Sequence, residues 1–491
     1  MRSLPERRLP SLVLTSLLVA AAIAAVPSGT PLERWVIGFE DLPADLPQVV
    51  DGLGASDGVA LHELDVVVVT APRAAVQRLA ARDDVIGVRP ERRLRLDLAS
   101  SVPFIGAARE QLGQPKPLGD GVERPVVDGA GVTVAVVDTG VWADHPDLND
   151  RVVASLDFEL AYAGELLLTT EQLDEFAAAS GPVGGTTDDV GHGTHVAGIV
   201  AGTGAAAAGK ANENRGVAPG ASIVDLRISP QAHTADNNVG WERNALAAYD
   251  WLLRNHTSTE FGPNGIGVVN NSWGVVSGQP LDYEPFDEIL TTLDAEGVSV
   301  VFSAGNSGPD DNVTEDVIPT GHPAVLTVAA GCHPGSRSSG CNGQFPDFSI
   351  ASFSSRGPAV DVTAPGVDIL SAVNASSGKV LGSISGDYSG QGPTDAAQNR
   401  AFYANFSGTS MSGPHVAGLV ALMRQVSPTL TPAEIRFLVT ATARDLLEDG
   451  RDIGAGYGMT DATAVLDAAA RHAAGADVRD LFPGHAFVSS L

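Results

Sequence analysis

Short apolar runs alternate with segments of helical spacing through the central part of the chain. A short continuous apolar run is typical of a buried strand, and apolar residues at i, i+3, i+4 and i+7 are typical of a helix. Strands that alternate with helices predict an α/β fold in which helices cover both faces of a parallel sheet. The predicted strands are residues 132–137, 222–228, 267–270, 298–303 and 324–329, and the predicted helices are 194–202, 242–255 and 286–295.

Residues 31–98 have a pattern of their own. Residues 35–39 and the more apolar 64–70 predict strands, 74–82 have helical spacing, and 85–88 predict a closing strand. This segment is therefore expected to fold as a small α+β module ahead of the larger α/β domain.

The C-terminal part is predicted to be helical. Apolar residues at i, i+3, i+4 and i+7 over 416–423 are typical of a buried helix. A capping box with proline at the first helical position occupies residues 431–434 and opens a second helix. A last helix is predicted over 461–474.

The chain of 491 residues carries 59 acidic and 30 basic residues, for a formal net charge of −29. This acidic balance argues against nucleic acid as a partner, because phosphate backbones are bound by basic surfaces. The negative charge is explained either by a need for solubility or by an environment of high salt, where dissolved ions screen the repulsion between the acidic side chains.

The first residues show the pattern of a secretory signal. Arginines precede an apolar run over residues 12–26, and Ala22 and Ala24 offer a small-residue cleavage site. Residues 1–25 are predicted to be a signal peptide, so that the protein is secreted and leaves the membrane after cleavage. The alternative is an uncleaved anchor, although the run is short for a membrane span.

Cys332 and Cys341 are the two cysteines of the chain. In an exported protein a pair this close predicts a disulfide that closes one loop. The alternative is two free thiols.

An acid, a base and a hydroxyl lie in three glycine-flanked turns, in the order Asp138, His192 and Ser410. A serine hydroxyl is a weak nucleophile unless an imidazole accepts its proton and a carboxylate orients that imidazole. Together the three residues predict nucleophilic catalysis. Taken singly, each has a structural alternative as a turn former, a structural histidine or a helix cap.

The segments around these residues read AVVDTGV at 135–141, HGTHVAG at 192–198 and GTSMSGPHVAG at 408–418. They resemble the motifs of the subtilisin-like serine proteases, or subtilases, both in their residues and in their order along the chain. The resemblance covers roughly residues 31–470. Ser412 stands where the family most often has alanine, and no loss of activity is expected from it. The resemblance implies a secreted serine endopeptidase that hydrolyses protein or peptide substrates through an acyl-enzyme.

The resemblance also implies a role for each site residue. Ser410 is the expected nucleophile, His192 the general base and then acid, and Asp138 the carboxylate that orients the imidazole. The oxyanion hole is expected at Asn306 and the Ser410 backbone N–H. Substrate contacts, chiefly through the main chain, are expected at Ser272, Trp273, Gly274, Ser303, Ala304 and Gly305, although Trp273 could equally be a core residue.

The same resemblance implies an inhibitory propeptide over residues 26–98 and a catalytic domain over 99–491. Self-cleavage is expected near Leu98, with residues 92–97 left as product in the substrate cleft, so that the propeptide inhibits its own enzyme. The alternative is that the module is a structural domain of the mature protein. A monomer is expected.

No cofactor is needed for this chemistry, but a structural calcium ion is possible. Asp147 matches a calcium ligand of some subtilases. The segment 204–215, which would supply partner ligands, is rich in alanine, and one carboxylate does not make a site for a cation that needs six or more oxygens.

Two alternative functions stay open. A processing protease of narrow specificity could use the acid-rich segment 310–316 to favour basic residues beside the cut. A catalytically inactive subtilase fold could serve as a binding protein, against which the intact set of site residues argues.

Overall fold

The computed structural model of the chain describes residues 32–55, 57–91, 93–96, 105, 107, 115–158, 172, 188, 190–206, 214–228, 239–275, 285–310, 312–313, 319–333, 336, 341, 349–373, 394–395 and 400–486. The predicted signal peptide, residues 1–25, and the predicted cleavage site at Leu98 lie outside these ranges. Within them, no helix is both long enough and apolar enough to cross a bilayer.

Seven parallel strands form the central sheet, and each is hydrogen-bonded to its neighbours in register. Four of them are buried at every position, as expected for parallel strands covered on both faces. In spatial order the strands are Val362–Pro365, Val325–Gly331, Ser299–Ser303, Ile266–Asn271, Thr133–Asp138, Ser222–Arg227 and Val152–Asp157.

Helices cover both faces of the central sheet, so the predicted α/β sandwich is confirmed. Side chains alternate between the faces: Val134 and Val136 join one apolar cluster, and Ala135 and Val137 join another. The helices of this domain are His192–Ala201, Glu242–Asn255, Pro285–Ala295, Thr409–Val426, Pro432–Ala441, Ala462–Ala473 and Val478–Leu481, with a 3₁₀ turn at Thr259–Phe261.

Short antiparallel pairs and a disulfide complete the domain. The disulfide joins Cys332 to Cys341, as predicted, with their Cα atoms 5.9 Å apart. The paired strands are Ile369–Ala372 with Tyr403–Phe406, Thr394–Asp395 with Arg400–Ala401, and Lys116–Gly119 with Val122–Arg124.

Residues 32–91, called the N-terminal module below, fold as a four-stranded antiparallel sheet with two helices on one face. The chain order strand, helix, strand, strand, helix, strand is that of ferredoxin-like folds. Trp35, Ile37 and Val67 pack beneath the helices of the module itself. The strands are Leu32–Phe39, Asp57–Leu61, Val66–Pro72 and Val85–Pro90, and the helices are Leu46–Leu53 and Arg73–Leu79.

The other face of the module's sheet packs against the domain that contains the seven-stranded sheet, called the main domain below. Val36 and Val68 of the module share one apolar cluster with Leu246 and Phe286, which lie on two helices of the main domain. Each residue buried here stabilises the contact by removing apolar surface from water. The module is therefore packed against the main domain through a continuous apolar interface.

Charged groups are buried at the same interface. Nη1 and Nη2 of Arg89 each donate to one carboxylate oxygen of Glu242 at 2.6 Å, and the two side chains are 3% and 0% exposed. The backbone N–H of Glu63 donates to Asp250 Oδ1 at 3.1 Å. Burial raises the pKa of the Asp250 carboxyl. The interface thus combines apolar packing with an oriented, bidentate ion pair.

Directly after the module, the chain becomes a strand of the main domain. Residues Arg93–Leu96, called the tail strand below, lie between Val239–Trp241 and Trp273–Val275 and pair with both in antiparallel register. Leu96 is opposite Trp273, and Arg95 is opposite Gly274. The tail strand therefore connects the N-terminal module to an edge that the main domain provides.

Candidate active site

Polar residues gather at the carboxyl ends of three neighbouring strands of the central sheet. Asp138 is the last residue of one strand, Ser272 follows the next strand directly, and Asn306 comes three residues after the third. The carboxyl ends of parallel strands share one edge of the sheet, which is where α/β proteins bind ligands.

Asp138 and His192 are in direct contact. His192 Nδ1 lies 2.6 Å from Asp138 Oδ1, and both side chains are fully buried. Because a carboxylate only accepts, the Nδ1 atom carries the proton and the Nε2 atom is left as the basic nitrogen.

Glycines allow these two segments to approach. A Cβ atom at Gly193 would lie 2.2 Å from the carbonyl oxygen of Gly140, so no other residue fits between them. Gly191 caps the His192 helix with a φ of 87°, a conformation that glycine adopts without strain. Gly191 and Gly193, on either side of His192, thus allow the contact between Asp138 and His192.

Ser410 is the second residue of the helix Thr409–Val426, so its backbone N–H is one of those that have no partner within the helix. Its hydroxyl donates to the carbonyl oxygen of Ser272 at 3.1 Å. The hydroxyl of Ser272 in turn donates to the Ser410 carbonyl at 2.8 Å and accepts from Asn270 Nδ2 at 3.1 Å. These reciprocal bonds hold the start of the helix against the end of a central strand.

Asn306 is fixed by Thr409, a residue that was not predicted as part of the site. Its Oδ1 accepts from the backbone N–H of Thr409 at 2.9 Å and from the Thr409 hydroxyl at 3.0 Å. Thr409 also accepts from the backbone N–H of Gly305 at 3.1 Å. Both acceptor contacts use Oδ1, which leaves the amide NH₂ of Asn306 as the donor end. The only sequence signal for Thr409 was its place beside Ser410.

The residues predicted to touch substrate have different surroundings. The Trp273 side chain is fully buried against Phe302, with ring centroids 5.0 Å apart, so it belongs to the core, while its backbone pairs with Leu96. Gly274 also pairs with the tail strand through its backbone. Substrate contact at these positions stays a prediction.

Ser303, Ala304 and Gly305 follow the third strand toward Asn306. Ser303 ends that strand and is buried, and the Ala304 N–H already donates to Val328 across the sheet at 3.0 Å. The Gly305 carbonyl accepts from Ser355 at 2.8 Å. Their role as substrate contacts stays a prediction as well.

The sequence profile of the Subtilase family matches residues 129–458, which include every site residue described above. The chain belongs to the subtilase family. The predicted family is thereby confirmed.

Named relatives are similar over most of this subtilase. Fervidolysin from Fervidobacterium pennivorans is 35% identical over 339 residues, which are 69% of this chain and 41% of fervidolysin. Serine protease AprX from Bacillus subtilis is 32% identical over 335 residues, or 66% of this chain and 62% of AprX. M-protease from Shouchella clausii is 27% identical over 88% of this chain and 92% of its own.

A solved structure shows the same likeness. The crystal structure of fervidolysin, described as a keratinolytic enzyme related to subtilisin, superposes with a TM-score of 0.60 at 25% identity. The alignment covers 90% of this chain and 62% of that structure. This subtilase thus spans less than two thirds of the length of fervidolysin and of AprX.

Two further histidines lie in the subtilase motifs but away from the Asp138 contact. His195 stacks on Phe406 and has carbonyl oxygens near its Nε2, and burial lowers its pKa to about 3. His415 Nδ1 donates to the Met411 carbonyl at 2.6 Å, and burial lowers its pKa to about 4. Both are neutral, buried groups, in keeping with structural roles.

Both carboxylate oxygens of Asp147, the possible calcium ligand, accept hydrogen bonds within the protein. Its Oδ1 accepts from the backbone N–H of Ala206 at 2.7 Å, and its Oδ2 accepts from the Tyr403 hydroxyl at 2.7 Å. These two donors hold the Asp147 carboxylate without a cation, and its role as a calcium ligand stays a prediction. No cluster of three or more potential ligands from His, Cys, Asp and Glu was found in the described part of the chain.

Proposed function

We propose that this subtilase is a serine endopeptidase that hydrolyses peptide bonds in extended protein substrates through an acyl-enzyme. The observation that carries the proposal is the contact of Asp138 with His192 at the same sheet edge as Ser410 and Asn306. A relative named as a serine protease, AprX, supports the reaction class. A leader of the kind predicted for residues 1–25 would place the enzyme outside the cell.

The proposed reaction begins at Ser410. Its hydroxyl gives up the hydrogen bond to the Ser272 carbonyl. The hydroxyl oxygen then attacks the carbonyl carbon of the substrate while its proton passes to His192 Nε2. The imidazolium that forms is stabilised by Asp138, which holds Nδ1. His192 then protonates the leaving amine, and a water molecule hydrolyses the acyl-enzyme by the same steps in reverse.

The oxyanion of the tetrahedral intermediate would be stabilised by two neutral donors. One is the amide NH₂ of Asn306, whose opposite end is held by Thr409. The other is the backbone N–H of Ser410, at the positive end of a helix of 18 residues. Donors fixed before the reaction need no rearrangement when the charge develops.

The N-terminal module and the tail strand are proposed to be an inhibitory propeptide. The tail strand occupies a strand position between two segments of the main domain, as an extended substrate would. Leu96 pairs with Trp273, the residue after Ser272, and the Ser272 carbonyl accepts from the proposed nucleophile. His192 and Ser410 are fully buried while the module is present. We propose that self-cleavage occurs near Leu98 and yields a monomeric enzyme.

A fluorophosphonate probe tests the proposed activity, because it reacts with an activated serine. We expect stoichiometric labelling of the self-processed wild type and none of Ser410→Ala. Ser412→Ala is the matched control: its hydroxyl lies two residues away and donates to the Thr409 carbonyl. A wild type that folds but takes up no label would favour the inactive binding protein. A peptide library incubated with self-processed enzyme that has not been exposed to the probe distinguishes broad cleavage from a sharp arginine preference, which would favour the narrow processing protease.

Calcium is expected to be dispensable at Asp147. We predict that a chelator leaves the Tm of the Ser410→Ala chain unchanged, whereas a calcium site saturated 100-fold over its Kd would contribute about 2.7 kcal/mol. Tyr403→Phe is expected to destabilise the fold by about 1–3 kcal/mol, because it removes a donor from a buried carboxylate. A calcium-dependent rise in Tm that Asp147→Asn abolishes would contradict this prediction.

A further inference from the structure

One buried carboxyl group joins the two segments that carry Asp138 and His192. Asp188 lies four residues before His192 and is 0% exposed. Its Oδ1 accepts from the backbone N–H groups of Val190 at 3.1 Å and Gly191 at 2.7 Å. Its Oδ2 accepts from the backbone N–H and the hydroxyl of Thr194. The carboxyl group therefore fixes the residues on both sides of His192.

A fifth bond reaches across to the other segment. The hydroxyl of Thr139, the residue after Asp138, donates to Asp188 Oδ1 at 2.9 Å and accepts from the backbone N–H of Gly193 at 2.8 Å. The backbone N–H of Thr139 donates to Asp138 Oδ1 at 2.7 Å, the same oxygen that His192 contacts. One chain of hydrogen bonds thus runs from Asp188 through Thr139 to Asp138.

A parallel connection runs through Thr194. Its hydroxyl, besides donating to Asp188, accepts from the backbone N–H of Trp142 at 2.9 Å. Trp142 lies four residues after Asp138 in the same loop. Asp188 is therefore linked to the Asp138 loop at two points, and each link passes through a threonine hydroxyl that both donates and accepts.

We infer that Asp188 is a positioning residue that fixes the distance and angle between Asp138 and the His192 ring. This inference rests on the proposed function, in which that pair drives proton transfer. A helix cap alone would need only the bonds to the residues near His192. The bonds through Thr139 and Thr194 to the Asp138 loop go beyond a cap, since they lock the helix start to the carboxylate that the imidazole must meet.

The site requires an acceptor at both oxygens of residue 188. Asparagine has nearly the same shape, but its NH₂ group would face N–H and O–H donors at whichever oxygen it replaced, so at least two bonds would be lost. Burial raises the pKa of the Asp188 carboxyl, and the bonds from Thr194, Gly191 and Thr139 oppose that rise. Asp225, also buried and with its pKa raised to about 8, and His195, which interacts with His192, are neighbouring titratable groups.

The test compares Asp188→Asn with wild type after self-processing. We expect kcat to fall about 10- to 100-fold with KM within twofold, because a small misplacement of the catalytic pair slows chemistry without weakening binding. We also expect the acidic limb of the kcat/KM profile to move to lower pH, because an imidazolium held less well by Asp138 loses its proton more readily. Asp361→Asn is the control: it is a partly buried carboxyl that accepts from the backbone N–H of Thr327 at 2.9 Å and lies outside this network.

Thr139→Val keeps the inference testable if Asp188→Asn does not fold. It removes only the bridging hydroxyl, and we expect it to reproduce the loss of kcat and the shifted limb, with recovery in Thr139→Ser. NMR of isotope-labelled histidine in the Ser410→Ala chain measures the pKa of His192 in a protein that has no activity. The inference can therefore fail even if the proposed function is right, and the reverse is also true. If Thr139→Val left both the acidic limb of the kcat/KM profile and the His192 pKa unchanged, the inference about Asp188 would be overturned, whatever the effect on Tm.

Discussion

Replacing His192 by alanine is expected to slow self-cleavage of the full chain by about 10⁴- to 10⁶-fold, the range for loss of a triad member in serine proteases. The reason is that the imidazole is the only proposed acceptor for the Ser410 proton. Its Nδ1 is bound to Asp138 at 2.6 Å, so Nε2 is the nitrogen that serves as base. The measurement is the first-order rate at which the purified chain shortens on a gel.

A control shows that this loss is chemical rather than structural. A trace of wild-type enzyme added to the His192→Ala chain should still trim it, because the segment near Leu98 remains a substrate. If the isolated variant shortened at the wild-type rate, another group would have to be the base and the proposed role of His192 would be wrong.

The second large effect is expected at the interface between the N-terminal module and the main domain. Arg89→Met would leave the carboxylate of Glu242 buried without that guanidinium. Breaking one side of a buried ion pair costs about 3–5 kcal/mol. The module should therefore bind about 10²- to 10⁴-fold more weakly, and the lag between self-cleavage and full peptidase activity should shorten.

Two variants define the contribution of this ion pair. The double variant Arg89→Met/Glu242→Leu should recover much of the affinity, since it leaves no buried charge behind. Arg73→Met removes an ion pair with Glu33 at 3.1 Å whose side chains are 59% and 39% exposed, and it should leave the lag unchanged. A lag that is equally short in Arg73→Met and Arg89→Met would show that burial of the charge is not what matters.

Elements buried on both faces were the easiest to predict from the sequence. The run 132–137 and the observed strand Thr133–Asp138 nearly coincide, because every position of that strand is buried and its central four residues are apolar. The predicted strand 298–303 and the observed Ser299–Ser303 agree for the same reason. In such strands the hydrophobic pattern alone carries the information.

Elements that depend on distant partners were missed. Val152–Asp157 is the edge strand of the central sheet and is only half-buried over most of its length, so its pattern is weak. Val362–Pro365 has four residues and is defined by its pairing with Val325–Gly331. In the module, Asp57–Leu61 and the helix Leu46–Leu53 were not predicted, because both are short and take their place from the neighbouring strand.

In the candidate site, too, some residues were predictable from local sequence and others were not. The motifs predicted the contact of Asp138 with His192, because each motif places its residue in a glycine-flanked turn at an element end. They did not indicate Thr409 or Asp188, whose importance lies in bonds to residues far away in the sequence. Nor could they decide whether Trp273 is a contact or a core residue, since that depends on Phe302 in another strand.

The central claim is that Ser410 is the nucleophile of an enzyme that removes its own N-terminal module. N-terminal sequencing of wild type and Ser410→Ala, purified side by side and incubated under the same conditions, tests it most directly. The account predicts a wild-type chain that begins close to residue 99 and a Ser410→Ala chain that retains the module. A Ser410→Ala chain that shortens at the same place and rate, in the absence of any other protease, would contradict it.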